Sequence, residues 1–361
     1  MSTARVRPKL LLAGYFGCGN VGDDAILLGF LRGLEQAPVD VGVASGAPEE
    51  TSRLYGVRAF DRKSAPRLAA EIAACDAVVF PGGSIFQDQT SWRSALYYAS
   101  IVARAKRARR SVFLLGQGVG PLTTFLGKRA AAKAFSAADL VAVRDPQSAQ
   151  LLKSMGVKGR IEVTADMAFL LPSPPPAEEG SAFQVGGMRS IGVVPRPFGK
   201  GGDVAALFGD VCRGLYQSNL MPVLIEMDRV HDGPLIDAIE KSQGGKVPGI
   251  RKVATPMQLQ QRLARMDAVI SVRLHGGVLA ATVGVAPFMV SYDPKVSAFA
   301  ASMGLPPAPS LSGLGAPRLV ELFLAFHQER ERYARLVAEK RETMALAARR
   351  NVTLMLEQLS A

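Results

Sequence analysis

Cysteine, histidine and tryptophan are scarce in this chain of 361 residues, which holds three, three and one of them. The cysteines, Cys18, Cys75 and Cys212, are odd in number, lie far apart and form no CxxC. They build neither a disulfide framework nor a zinc site, and their usage fits a reducing compartment such as the cytosol. No stretch of about 18 uncharged apolar residues occurs, so no membrane span is expected. The N-terminus is basic, but the apolar run after it covers only Leu10 to Ala13. That reads as a strand rather than a signal peptide. The chain has no GxSxG, no HExxH, no P-loop Lys-Ser/Thr and no DxD flanked by strand residues. A serine hydrolase and metal catalysis both lack support, and no metal ligands are assigned.

What is present is positive charge, glycine turns and a repeated α/β alternation. The formal net charge is +12 and the isoelectric point is near 9.8. Such a balance suits an acidic partner: a nucleic acid, an anionic membrane surface or a phosphorylated substrate. Apolar residues make up 48% and charged ones 20%, the composition of a globular protein. The length suits two domains. Short apolar runs ending in glycine turns alternate with helical patterns up to Leu171. The proline-rich stretch 172–188 then reads as a semi-rigid linker. The alternation resumes over 189–315, and 316–361 is helical in pattern. Over forty residues is too long for one globular helix, so two helices or a kinked one are expected there, packing across the domains. The expected fold class is α/β, with two doubly wound Rossmann-like domains facing a cleft, GT-B-like, and a helical C-terminal segment.

The stretch that draws most attention is Ser271-Val-Arg-Leu-His-Gly-Gly277, followed by Ser291-Tyr-Asp-Pro-Lys295. Each reads as a polar turn after a buried parallel strand, at the edge where open α/β sheets place their chemistry. Arg273, His275 and Lys295 would converge there, beside free backbone N–H groups at Gly276 and Gly277. That makes a pocket for a small, multiply charged anion. Arg196, in Pro195-Arg-Pro197, occupies an equivalent strand end. The other histidines, His231 and His327, have no evident company. In the first half, glycine turns are expected after Ala13, after Phe80 and after Leu115. The first carries Asn20, Asp23 and Asp24, and a carboxylate there either caps the following helix or contacts a ligand. The second carries Gly82, Gly83, Ser84, Gln87, Asp88 and Trp92, a polar turn with one aromatic that suits a sugar face or is an ordinary tight turn. The third carries Gln117. Arg144 follows the strand Leu140 to Val143, and a salt bridge to Asp145 or a neighbour is the plain alternative to a ligand role.

Taken in order, several motifs resemble one family. They are Gly14-Tyr-Phe-Gly-Cys-Gly-Asn-Val-Gly-Asp-Asp-Ala-Ile26, Phe80-Pro-Gly-Gly-Ser84, Gly116-Gln-Gly-Val-Gly120 and Val143-Arg-Asp-Pro-Gln-Ser148. Ala165-Asp-Met-Ala-Phe-Leu170, Ser271-Val-Arg-Leu-His-Gly-Gly277 and Tyr292-Asp-Pro-Lys295 complete the set. Together, from Leu10 to about Met303, they resemble the polysaccharide pyruvyltransferases, most nearly the branch acting on cell-wall polysaccharide precursors. The resemblance implies an enzyme with phosphoenolpyruvate as donor substrate and no cofactor. The acceptor would be a hexose or hexosamine, in that branch N-acetylmannosamine on a lipid-linked precursor. The product would be a cyclic pyruvate ketal, with a role in secondary cell-wall polysaccharide and S-layer anchoring. It also implies His275 as general acid, with Arg144 and Lys295 binding the donor's anionic groups. Arg273, the Gly276 N–H and Arg196 are added as donor ligands from their positions. Asn20, Gly82, Gly83 and Gln117 are expected on the acceptor side, by analogy with GT-B enzymes. Val21, Asp24 and Met167 depart from the family's commoner Thr, Glu and Pro.

A lipid-linked acceptor would give the basic charge a cause, with a cytoplasmic protein docking on the inner face of the membrane. A nucleotide-linked amino sugar is the other form of acceptor, and no nucleic acid is expected. The sequence carries no signal for an oligomeric state. Two rivals stand beside this reading: a GT-B glycosyltransferase using a nucleotide sugar, and a non-catalytic phosphosugar-binding protein.

Overall fold

A computed structural model describes residues 7–88, 92–174, 187–198, 202–245 and 247–360. Most of the linker expected at 172–188 lies outside the described residues, as does the side chain of Trp92. The chain divides into two compact units. The first comprises Met1–Cys18, Asp23–Leu170 and Met344–Ala361, and the second Gly19–Gly22 and Leu171–Thr343.

The first unit is built on strands β1 (Lys9–Leu12), β2 (Asp40–Ser45), β3 (Arg58–Asp61), β4 (Ala77–Phe80), β5 (Gly83–Phe86), β6 (Ser111–Val119), β7 (Leu140–Val143) and β8 (Glu162–Val163). They lie in the order β3-β2-β1-β4-β6-β7-β8, every pair parallel, with β5 added alongside β6. The sequences of β4 (AVVF) and β7 (LVAV) show why: four apolar residues in a row suit a strand covered on both faces. Successive residues then feed opposite cores. Leu11, Val78 and Phe80 join one apolar cluster, while Leu10, Leu12 and Val79 join the other. The second cluster is completed by Val352 and Met355 of the last helix.

The second unit repeats the plan with β9 (Arg189–Val194), β10 (Leu220–Ile225), β11 (Gly249–Ile250), β12 (Ala268–Ser271) and β13 (Pro287–Met289), in the order β11-β10-β9-β12-β13, again parallel. In each sheet the winding direction reverses beside the first strand, between β1 and β4 and between β9 and β12. Those are the topological switch points. The architecture is the expected one: two Rossmann-like units of the GT-B-like class, with a helical C-terminal segment. That segment forms helices Ala316–Gln328 and Arg330–Ser360, broken at Glu329.

Several local expectations fail for identifiable reasons. The third glycine turn is not a turn, because β6 continues through it to Val119. The pairing with β7 shifts register between Leu114 and Gln117, and Gly116 at φ 55° absorbs the irregularity. The second glycine turn contains the short strand β5. Helix Pro48–Tyr55 has no counterpart in the sequence reading, because its residues PEETSRLY lack an apolar stripe. Proline in its first turn and Gly56 in the left-handed region delimit it. The first helix starts at Val21, so Asp23 and Asp24 lie in its first turn rather than before it. Asn20 Oδ1 accepts from the Gly22 N–H at 2.9 Å, whereas Asp24 turns back to accept from the Gly17 N–H at 2.9 Å.

Candidate active site

In the second unit, three neighbouring strands end in polar groups at one edge. After β9 comes Arg196. After β12 come Arg273 and His275, at the start of helix Leu274–Thr282. After β13 come Tyr292 and Lys295, at the start of helix Pro294–Ser302, where Asp293 accepts from the Lys295 N–H at 3.1 Å. Gly276 lets the first of these helices close onto the sheet, since a Cβ there would stand 2.9 Å from Val194 Cγ1. The expectation of free N–H groups at Gly276 and Gly277 is corrected. Both donate to the carbonyl of Arg273, at 3.2 and 3.5 Å, because Arg273 is the N-cap and its carbonyl takes the first helical bonds.

The cations differ in company. The Arg273 guanidinium is held by Asp232: Nε donates to Oδ1 at 3.0 Å, and a second nitrogen forms an ion pair with the same oxygen. Asp232 is fully buried and also accepts from the N–H groups of Met227 and Asp228. Burial pushes its carboxyl up, and Arg273 pulls against that shift. Lys295 lies 3.1 Å from Asp293 Oδ2. Arg196 stacks on Tyr292, with its Cζ 4.0 Å from the ring centroid, and Lys295 Nζ is 5.6 Å from the same centroid. Among the described residues no carboxylate forms an ion pair with Arg196. Burial, with Arg273 as a like-charged neighbour, pushes its pKa down to about 10. The geometry therefore brings Arg196, Tyr292 and Lys295 together, beside Arg273 and His275.

His275 also meets the short segment Gly19–Gly22, which is part of this unit. A Cβ on Gly22 would lie 2.5 Å from His275 Nδ1, so glycine at this position leaves room for the ring. The segment is fastened by the Val21 N–H to the Met227 carbonyl at 2.8 Å and by the Arg229 N–H to the Gly19 carbonyl at 3.0 Å. Asn20 forms an antiparallel bridge with Asp228. Asn20 is thus placed with the second unit and the histidine.

Arg144, Gly82, Gly83 and Gln117 lie in the first unit. Gly82 and Gly83 follow β4 at the switch point with φ of 149° and 96°, a backbone path that excludes most side chains. Arg144 follows β7 and is buried. It donates to Asp166 Oδ2 at 2.7 Å and to Ser84 Oγ at 2.8 Å, and a Cβ on Gly118 would stand 2.5 Å from its guanidinium. Asp145, the neighbour expected to pair with it, caps the next helix instead, accepting from the Ser148 N–H at 2.7 Å. Gln117 is fully buried, and its amide donates to the carbonyls of Phe80 and Leu115 at 2.9 and 3.0 Å.

Sequence reasoning missed the roles of five residues. Asp228 partners His231, Nδ1 to Oδ2 at 2.9 Å, and His327 pairs with Asp267, so both histidines have company. Asp232 and Asp166 had no local signal, since their arginines lie far along the chain. Asn351, buried on the last helix, accepts from the Gly116 N–H at 3.0 Å and from Thr164 Oγ1 at 2.8 Å. A lone asparagine in an otherwise helical stretch was the one available hint.

Comparison with known proteins follows the same outline. The family model described as Polysaccharide pyruvyl transferase matches residues 20–294. The amylovoran biosynthesis protein AmsJ of Erwinia amylovora is 23% identical over 363 residues, covering 82% of this chain and 86% of AmsJ. Among solved structures, the S. aureus MnaA–UDP complex has a TM-score of 0.70 at 12% identity, over 98% of this chain and 97% of that one. HepE of Anabaena, in complex with UDP and glucose, has a TM-score of 0.62 at 14% identity, over 98% and 100%. The UDP-GlcNAc 2-epimerase from Neisseria meningitidis, bound to UDP-GlcNAc, has a TM-score of 0.61 at 12% identity, over 97% and 100%. At these identities the solved structures speak to the fold alone.

Proposed function

The chain belongs to the polysaccharide pyruvyl transferase family, and from that premise we propose that phosphoenolpyruvate binds at the edge of the second unit formed by β9, β12 and β13. The observation that carries this reading is the cation cluster there. Arg196 has no ion-paired carboxylate among the described residues, stacks on Tyr292 and shares that ring with Lys295. Asp293, Asp232 and Asp228 act on Arg196 only at longer range, and a donor bearing a carboxylate and a phosphate supplies the direct contact they do not make.

In this proposal His275 gives a proton to the methylene carbon of phosphoenolpyruvate, making C2 an oxocarbenium-like electrophile. One hydroxyl of the acceptor adds to C2 and loses its proton. A second hydroxyl of the same sugar then displaces phosphate, which leaves with the C2–O bond electrons and takes up that hydroxyl's proton, and the ketal ring closes. Arg196 and Lys295 hold the anionic groups as charge shifts onto the leaving phosphate. Arg273, already paired with Asp232, acts as a positioning residue for the turn that carries His275. Arg144, neutralised by Asp166 in the first unit, keeps on the family's pattern a proposed role towards an anionic group of a substrate. Gly82, Gly83 and Gln117 are assigned to the acceptor side, where Gln117 would act by shaping the backbone. We assign the acceptor to the hexosamines, with N-acetylmannosamine of a lipid-linked cell-wall precursor as the first candidate. That places the enzyme on the cytoplasmic side, in secondary cell-wall polysaccharide modification and S-layer anchoring.

The test is phosphate release from phosphoenolpyruvate against a panel of amino-sugar acceptors, free, nucleotide-linked and lipid-linked. Release dependent on an N-acetylmannosamine acceptor is expected, and His275→Gln should lower kcat by about 10²–10⁴-fold with the fold intact. Undiminished turnover in that variant removes His275 as the acid. Thermal stabilisation by a UDP-sugar but not by phosphoenolpyruvate would turn the reading to a glycosyltransferase.

A further inference from the structure

We propose that the first unit docks on an anionic lipid bilayer through Phe125 and Leu126, framed by Lys128, Arg129 and Lys133. These two residues are 73% and 56% exposed, adjacent in sequence, and start helix Phe125–Ala137. The opposite face of that helix, Gly127, Ala131, Ala134 and Phe135, is buried in the unit. The exposed face therefore carries two large apolar side chains and then cations at successive turns, with no acidic residue anywhere in the helix.

Neither feature helps the helix. Exposed Phe and Leu forgo the gain of burial, and cations near an N-terminus oppose the helix dipole. The turn before the pair is tied down by hydrogen bonds. Asp88 accepts from the N–H and the hydroxyl of both Thr123 and Thr124, at 2.7 to 3.1 Å. Thr124 Oγ1 in turn caps the helix by accepting from the Gly127 N–H at 3.1 Å. Burial opposes the charge of Asp88, but these hydrogen bonds outweigh it and hold its carboxyl below the usual range. The apolar tip is thus a built projection.

An apolar tip followed by cations along the same helix matches a bilayer whose headgroups are anionic and whose interior accepts Phe and Leu. A nucleic-acid backbone would meet the cations but offers nothing for the apolar pair. The place agrees with the function. The tip follows β6, whose neighbour β4 ends in Gly82–Gly83, so it stands at the same edge as those proposed acceptor residues. The biological purpose rests on the lipid-linked acceptor proposed above, while the surface itself rests on these residues alone.

Vesicle flotation tests it, with full-length protein and vesicles of phosphatidylcholine alone or mixed with phosphatidylglycerol. Binding to the anionic vesicles is expected, with partitioning at least about tenfold weaker in Phe125→Ser/Leu126→Ser. Lys128→Gln/Arg129→Gln should weaken it too, and should flatten its salt dependence. Phosphate release with a soluble acceptor should not change in either variant. Absence of wild-type binding, or equal binding of the serine variant, overturns the proposal. So does a dimer seen by sedimentation that dissociates in the serine variant, because a second copy then covers the tip. Vesicle binding without pyruvyl transfer to any acceptor would leave the surface standing and remove the proposed function.

Discussion

Two arginines stand at the carboxyl edges of the two sheets, Arg144 in the first unit and Arg196 in the second, and their surroundings are opposite. The Arg144 side chain is 6% exposed and shares hydrogen bonds with Asp166 and Ser84, against a wall left open by Gly118. Its charge is answered within the fold. Arg196 faces an aromatic ring, and its pKa is pushed down by burial and by a like charge. Its charge is answered by no ion pair among the described residues. Arg273 resembles Arg144 in this respect, since Asp232 takes its charge. A buried arginine with its own carboxylate has its charge met inside the fold, and removing either partner leaves a costly isolated ion. An arginine without one is costly already, and that cost is relieved when an anion binds.

The contrast can be broken by mutation. The largest effect is expected at Asp166→Ala, which strands Arg144 and should cost about 3–5 kcal/mol of unfolding free energy in a denaturant titration. A loss below about 1 kcal/mol would mean that Arg144 is compensated in another way. Asn351→Ala comes next. It removes the buried acceptor of the Gly116 N–H and of the Thr164 hydroxyl, and should cost about 1–3 kcal/mol in the same assay.

Arg196→Met should leave stability within about 0.5 kcal/mol, because no ion pair is broken. The same change should raise the KM for phosphoenolpyruvate roughly tenfold or more, as expected for one lost charge-assisted contact. Stability lost without a change in KM would give Arg196 a structural role instead. The smallest effect belongs to Asp267, paired with His327, Arg189 and Arg330 but only partly buried. Burial raises its pKa, but these partners prevail and the carboxyl lies below the usual range. A depressed pKa contributes stability above the unfolded value and loses it as pH falls through the folded one. Asp267→Asn should therefore cost up to about 1 kcal/mol at neutral pH, with the difference shrinking as pH falls below about 4 and vanishing once it passes the lowered folded pKa. A difference that persists in acid would show that shape, and not charge, holds that contact.

Much of this contrast was half legible in the sequence. Arg144 and Arg196 could be placed at strand ends, because four to six apolar residues followed by a polar turn mark the carboxyl edge of a parallel strand. Their partners could not. Asp166 is 22 residues from Arg144 and Asp232 is 41 from Arg273. No local pattern links an arginine to a carboxylate at that distance. The glycine run Gly116–Gly120 was misread because glycine signals a turn and a bulged strand alike, and only pairing with β5 and β7 separates them. Asn20 was expected with the first domain, since it follows β1, but hydrogen bonds and a bridge to the loop after β10 place it in the second unit.

The sequence by itself determined the parallel α/β class, the strand ends that carry polar residues and the family motifs around His275. Each of these depends on period, spacing and residue type within a few positions of the chain. Tertiary structure alone decided which cation keeps its charge available and which glycine serves packing. It also decided that the N–H groups of Gly276 and Gly277 belong to the Arg273 carbonyl. Those outcomes depend on burial and on pairing between distant residues, and desolvation of a charge has no magnitude until the fold has closed around it.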